Sequence, residues 1–271
     1  LFRVRGFTQD DAHLYVTPDQ IEAEVLDCLD MLEVVYRALG FGRVERKLST
    51  RPMERMGADG LWERAETALQ AALERSDRAY EIASGEGAFY GPKIDCFLTD
   101  SLGRSWQCGT IQLDFQMPER FDLEYVGKDG ARHRPVMVHR AIIGSLERMI
   151  GVIVEHYAGK LPVWLAPVQA IVLPISEKTL PYAAAVAERF RGEGLRAEID
   201  RRPDKIGSKI RDALQRKIPY LLVAGEREEQ SQTVAVRLRD GEDRGPQPVD
   251  AVVREIRERS AARGDASQPN P

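Results

Sequence analysis

EGAFYGPKIDCFLTDSLGRSWQCGTIQLDFQM, residues 86–117, decides the fold. A Gly-rich entry leads into one apolar run, Leu102, Gly103, Arg104 and Ser105 supply a turn, and a second run follows. That is the pattern of an antiparallel strand pair. The two runs are not plain core strands. Glu86, Tyr90, Gly91, Pro92 and Lys93 cluster at the entry, and Gln107 and Gln112 flank Gly109 and Thr110. A sheet of this kind is expected to bury apolar side chains, so polar groups gathered on it point to a site.

The same habit continues on both sides. Downstream, FDLEYVGKDGARHRPVMVHRA repeats the strand pattern, with Lys128, Asp129 and Gly130 as its hairpin turn. A strand ending at His139 then runs through Gly144 and Ser145 into a predicted helix over 143–157 that carries Arg148. Upstream, RVRGFTQDDAH alternates and predicts a strand. Phe2, Val4, Gly6, Thr8, Ala12 and Leu14 fall on one face, and Arg3, Arg5, Gln9, Asp11 and His13 on the other. Between these strands, Ile21, Val25, Leu29, Leu32, Val35, Tyr36 and Leu39 recur at helical spacing until Gly40. A strand over 44–48 and a helix over 60–74 follow. Residues 1–163 are therefore expected to form an α+β unit, an antiparallel sheet with flanking helices.

KLPVWLAPVQ, with two prolines, marks the boundary. Beyond it, apolar strands over 170–174, 196–200, 220–224 and 233–238 alternate with helices over 181–192, 206–217 and 249–259. This predicts an α/β domain of mostly parallel sheet over 164–260. The tail, 261–271, is expected to be disordered.

The chain has 271 residues and a formal net charge of −4, which argues against a protein that coats nucleic acid. The charge is uneven. Residues 164–271 hold 19 Lys/Arg against 17 Asp/Glu, and residues 1–163 hold 20 against 26. The second part is the better place for a polyanionic partner. No apolar run reaches membrane-spanning length, and the first residues lack a signal-peptide pattern. Three widely spaced cysteines, Cys28, Cys96 and Cys108, make no disulfide framework, so a cytoplasmic setting is expected.

The chemistry concentrates in a few residues. Small residues at a helix start, Gly144 and Ser145, let a ligand approach backbone N–H groups that lack intrahelical partners. Arg148, one turn in, adds a planar cation suited to a triphosphate or to stacking on a purine. The same residues also read as a helix cap, with Arg148 paired to Glu147 or Glu155. Of the four histidines, His133 and His156 are expected in solvent. His13 and His139 lie on strands, but two nitrogens do not fill a zinc site. Cys108 is a conceivable third donor, or simply a small hydrophobe.

In this order, RVRGFTQDDAH, KLSTRP, GEGAFYGPKID, QCGTIQLDF, VHRAIIGSLERMIG and WLAPVQ resemble the bacterial threonyl-tRNA synthetases, a family of class II aminoacyl-tRNA synthetases. The resemblance runs from residue 2 to about 259. It implies a class II catalytic sheet in which the opening run is the second half of motif 2 and HRAIIGSLER is motif 3. An α/β anticodon-binding domain follows. The implied activity joins threonine to ATP, with Mg2+, as threonyl-adenylate, and then passes threonine to tRNA(Thr). By position, Arg3 and Arg148 bind ATP, and Lys93 lies near the reacting phosphate or the tRNA end. Gln107 and Thr110 line the nucleotide and adenylate site, while Gln9, Asp11, Tyr90, Gln112, Gly144 and Ser145 surround threonine. His13 and His139 match two of three zinc ligands, with Asp11 accepting from the threonine hydroxyl. Lys205, Arg211, Glu228 and Arg237 match positions that contact the anticodon.

The implied zinc site explains discrimination. Valine offers no oxygen and leaves the site unpaired, whereas serine lacks only a methyl group, worth roughly 10–200-fold. The chain also departs from the family pattern. It starts within motif 2, so motif 1, the first motif 2 strand and the cysteine that is the third zinc ligand are not in it. The parent protein is expected to be an active homodimer with no membrane or DNA partner, and the 271-residue piece to be inactive alone. A non-catalytic tRNA-binding paralogue is the other reading. A serine, proline or glycine synthetase is disfavoured by Asp11, His13 and His139.

Overall fold

The computed structural model describes residues 2–263, which divide between His156 and Tyr157 into two compact units. The first runs β1 (Ala12–Val16), α1 (Ile21–Ala38), β2 (Glu45–Ser49), α2 (Asp59–Arg75), β3 (Glu81–Ala83), β4 (Lys93–Thr99) and β5 (Ser105–Asp114). It continues with α3 (Gln116–Arg120), β6 (Tyr125–Val126), β7 (Arg132–His133), β8 (Val136–Ala141) and α4 (Leu146–His156). Among the described residues, six strands form one sheet in the order β1-β8-β5-β4-β2-β3. Every neighbouring pair is antiparallel except β2 and β3. The remaining two strands, β6 and β7, make a separate small hairpin whose turn includes Gly130 at φ 76°.

One face of the sheet is covered by α1 and α2. Ile21, Val25, Cys28, Leu29, Leu32 and Tyr36 of α1 are buried at helical spacing, as are Trp62, Ala65, Leu69, Ala72 and Leu73 of α2. Ile94, Cys96, Leu98, Ile111 and Leu113, the alternate residues of β4 and β5, are buried as well. The buried Tyr36 hydroxyl donates to the Ile142 carbonyl at 2.8 Å, which satisfies that polar atom in the core. The opposite face of the sheet is left to the polar residues.

Residues 2–11 do not form the strand that their alternation predicts. Pairing begins at Ala12; before it, Gln9 makes a single bridge to Ser145, and Leu146 N–H donates to the Thr8 carbonyl at 2.8 Å. Alternation assigns faces, but a strand also needs a neighbouring backbone in register. This run lies instead along the start of α4, touching it at Phe2, Thr8 and Gln9.

The second unit contains β9 (Ala170–Pro174), α5 (Leu180–Gly192), β10 (Ala197–Ile199), α6 (Ile206–Gln215), β11 (Tyr220–Ala224), α7 (Glu226–Ser231), β12 (Thr233–Leu238), β13 (Asp243–Pro248) and α8 (Val249–Ala261). Among the described residues its strand order is β10-β9-β11-β12-β13. Ala170, Val172, Tyr220 and Leu222 pack with Phe190 and Ile256 on one face, while Ile171, Leu173, Leu221 and Val223 pack with Ala213 and Ile218 on the other. Burial on both faces is why β9 and β11 are continuously apolar.

The expectation of a mostly parallel sheet is corrected here. β10, β9 and β11 are parallel, but β11–β12 and β12–β13 are antiparallel. A parallel return needs a crossover of a dozen or more residues, and α7 has six. β13 is not among the expected strands, and its Pro246 and Pro248 discourage a strand assignment. At the sheet edge a proline forfeits no ladder bond.

Val163 packs into the second unit's core. Arg196 donates to the carbonyls of Ala166 at 3.0 Å and Trp164 at 2.8 Å, and Arg239 to that of Leu161 at 2.6 Å. The proline-bearing segment therefore folds with the second unit. Most of the expected disordered tail, residues 264–271, lies outside the described residues.

Candidate functional site

Register builds the site. Lys93 of β4 stands opposite Gln112 of β5, Gln112 opposite His139 of β8, and His139 opposite His13 of β1. Directly opposed residues share a face, so these four side chains form one row across four strands. Beside it, Asp95 stands opposite Thr110.

Gln107 joins them through a defect in the ladder. Gln107 and Thr110 are three apart and should point to opposite faces. The register shifts between Cys96 and Phe97, so that Gln107 faces Phe97 and Gly109 faces Cys96, with Cys108 as the extra residue. Such a bulge reverses the alternation and turns Gln107 onto the Thr110 face. Asp95, 3% exposed, binds the group together. It accepts from Gln107 Nε2 at 2.5 Å, from Ser49 Oγ at 2.8 Å and from Thr110 Oγ1 at 3.4 Å, and it pairs with the Lys93 ammonium.

Tyr90 OH donates to Gln112 Oε1 at 3.0 Å, and its ring lies 5.5 Å from that of His139. Burial, with the charge of Asp114, pushes the Tyr90 phenol up, so it stays a neutral donor. His139 Nε2 meets Asp114 Oδ2 at 2.9 Å, and Asp114 is itself held by the N–H groups of Gln116 and Met117. A carboxylate only accepts, so Nε2 donates to Asp114, which leaves Nδ1 as the nitrogen that a metal would meet. The His13 ring lies edge-on to it at 4.6 Å. Two donors thus suit a zinc ion, but among the described residues no group of three His, Cys, Asp or Glu could hold one. Cys108 is not grouped with them, and burial pushes its free thiol up to about 11, against the pull of Arg148.

A cleft of about 500 Å³ opens over this face. Arg3, Gln9, Asp11, Tyr90, Lys93, Gln107, Thr110, Gln112, His139, Gly144, Ser145 and Arg148 all line it; His13 does not, and stands behind His139 in the row. Arg148 takes neither glutamate partner. Its guanidinium donates to the carbonyls of Phe2 at 3.0 Å and Gln107 at 2.6 Å, over the Trp106 ring, while Glu155 pairs with Arg104.

The start of α4 is less open than its small residues suggest. The Asp10 carboxylate accepts from the N–H groups of Ile142 at 2.9 Å, Ile143 at 3.1 Å and Gly144 at 3.0 Å. Ser145 Oγ accepts from Arg148 N–H at 3.2 Å, a helix cap. A Cβ on Gly144, at φ +69°, would lie 2.2 Å from the Cys108 carbonyl oxygen, so glycine is needed for close approach. Asp10 escaped the sequence reading because its parity puts it on the apolar face. Asp95 and Asp114 escaped because a lone aspartate in a strand carries no local signature. Asp10→Ala strands three backbone donors and is expected to cost about 1–3 kcal/mol, read by chemical denaturation; an unchanged midpoint would contradict this role.

In the second unit, Lys205 and Arg211 are exposed at the start and middle of α6. Glu228 caps α7, its Oε2 accepting Gly225 N–H at 3.0 Å, and Arg237 pairs with Asp243 at 2.6 Å. The last two therefore already have partners.

Residues 1–157 match the tRNA synthetase class II core domain (G, H, P, S and T), and residues 169–259 match an anticodon-binding domain. Threonine–tRNA ligase of Acetivibrio thermocellus is 55% identical over 256 residues, 94% of this chain and 40% of the relative. That of Acidithiobacillus ferrooxidans is 54% identical over 263 residues, 97% and 41%. The chain spans about two fifths of the length of the curated relatives it matches. The crystal structure of the RNA-binding domain of threonyl-tRNA synthetase from Cryptosporidium parvum superposes with a TM-score of 0.89 at 46% identity, covering 94% of this chain and 64% of that one. With its antiparallel core, its polar cross-strand row and its second α/β unit, the chain belongs to the class II tRNA synthetases, and its sequence groups it with the threonyl members.

Proposed function

We propose that this chain forms the synthetic cleft and the anticodon-reading unit of a threonine–tRNA ligase, which activates threonine with ATP and Mg2+ and transfers it to tRNA(Thr). The observation that carries the reading is convergence: residues from four segments, widely separated in sequence, line one cleft. Arg3 and Arg148 bind ATP. Their cationic charge, with that of Lys93, offsets charge as the threonine carboxylate attacks the α-phosphate and pyrophosphate leaves. Gln107 and Thr110 hold the nucleotide. Gln9, Asp11, Tyr90, Gln112, Gly144 and Ser145 enclose the amino acid, with Asp11 accepting from its hydroxyl.

Zinc is the proposed metal, with His13 and His139 as two ligands and a third donor from outside the described residues. When bound it supplies a Lewis acid for the amino and hydroxyl groups of threonine. A homodimeric, cytoplasmic parent protein completes the proposal. Among the described residues no helix is long and apolar enough to cross a membrane.

Lys205, Arg211, Glu228 through its remaining oxygen, and Arg237 are the proposed anticodon contacts. An arginine reads a guanine edge with two hydrogen bonds, worth about 1–3 kcal/mol. Arg211→Ala in the protein encoded by the whole gene is therefore expected to weaken tRNA charging by roughly 5- to 150-fold. Threonine-dependent ATP–pyrophosphate exchange, which needs no tRNA, should hold. Charging at the wild-type rate would remove Arg211 from the interface.

A further inference from the structure

We propose that Asp95 is a positioning residue that fixes the hydrogen-bond polarity of Gln107, so that Gln107 offers the cleft only an acceptor and binds a donor group of the substrate. This rests on the reading of the cleft as an activation site.

The count of bonds carries it. A glutamine amide has two N–H donors and one carbonyl oxygen. Gln107 Nε2 donates to Asp95 Oδ1 at 2.5 Å and to Thr110 Oγ1 at 3.0 Å, which commits both donors. The flipped amide would bring its carbonyl oxygen against a carboxylate, two acceptors with no proton between them. Thr110 fits this direction, its hydroxyl donating in turn to Asp95 at 3.4 Å. Asp95 cannot swing away: Ser49, fully buried, donates to its other oxygen at 2.8 Å, and the Lys93 ammonium pairs with it. Gln107 Oε1 is then what remains for a ligand. Its complement is a hydroxyl or ammonium hydrogen, chemistry shared by the ribose of the nucleotide and the amino group of threonine. Gln112 is not held in this way: its Oε1 accepts from the Tyr90 hydroxyl at 3.0 Å, and a hydroxyl would equally accept from a turned amide. The two glutamines, alike in sequence, are therefore held differently.

The test is a polarity swap in the protein encoded by the whole gene. Asp95→Asn removes the obligatory acceptor, lets the amide turn, and is expected to lower kcat/KM in threonine-dependent exchange by about 10- to 100-fold. The double variant Asp95→Asn, Gln107→Glu restores a donor–acceptor pair with its direction reversed, keeps net charge, gives Lys93 a carboxylate, and still presents an oxygen to the cleft. It is expected to recover at least about tenfold of the loss. Exchange assays with ATP analogues lacking the 2′- or 3′-hydroxyl identify the donor. The Gln107→Leu defect vanishes with the analogue that lacks Gln107's partner, and persists with both if the partner is the ammonium. Wild-type activity in Asp95→Asn, or a double variant no better than the single, overturns the proposal. A wild-type protein without exchange overturns the activation reading instead, and the melting midpoint, lost in the single variant and regained in the swap, then still reads the polarity.

Discussion

Asp11→Ala in the protein encoded by the whole gene is expected to lower kcat/KM for threonine by about 100- to 1,000-fold in ATP–pyrophosphate exchange, the scale on which one preorganised polar contact acts. Its melting midpoint should move by little. Asp11 is exposed and lines the cleft, so truncating it removes no core packing. Its neighbour Asp10 has the structural task, holding the loop from Ile142 to Gly144. The contrast between adjacent aspartates sharpens the test. Selectivity against valine should fall along with the rate, because a site that no longer bonds a hydroxyl does not penalise its absence. A variant that melts well below wild type, with exchange reduced only in proportion to folded protein, would make Asp11 structural.

Gly91→Ala carries the largest stability cost expected in the first unit. A Cβ at this position would lie 1.9 Å from the carbonyl oxygen of Leu113, a residue of β5. β5 is paired on both sides, to β4 and β8, so its backbone does not yield. The segment bearing Tyr90 must lift instead, breaking the Leu113 N–H bond to the Pro92 carbonyl at 3.2 Å. A loss of about 3 kcal/mol or more follows, equivalent to roughly 6–12 °C in the melting midpoint of that unit. Melting within a degree of wild type would show that the close approach is not rigid.

Much of this architecture is legible in the residues. Helical spacing from Ile21 to Leu39 predicts α1, and the turn at Leu102–Ser105 predicts the β4–β5 pair, because periodicity and turn chemistry are local properties. What is not legible depends on partners distant in sequence. The alternation before Ala12 says strand, yet the run meets only the start of α4, through one bridge at Gln9, and no strand pairs with it in register. The bulge at Cys108, which turns Gln107 onto the face of Thr110, follows from register against Cys96 and Phe97 and leaves no mark in QCGTIQLDF. The aspartates beneath the site, Asp10, Asp95 and Asp114, look like ordinary strand residues until the backbone and side-chain donors around them are in place. Sequence phrases pick out the residues that face the cleft, and the structure adds those that hold them there.

The central claim is that the cleft over the Lys93–Gln112–His139–His13 row activates threonine. Pyrophosphate exchange by the protein encoded by the whole gene, measured with threonine, serine and valine in turn, tests it most directly. The account predicts robust exchange with threonine, exchange with serine lower by roughly 10–200-fold, and valine lower by several orders of magnitude. Equal exchange with threonine and valine, or none with any of the three, would contradict it.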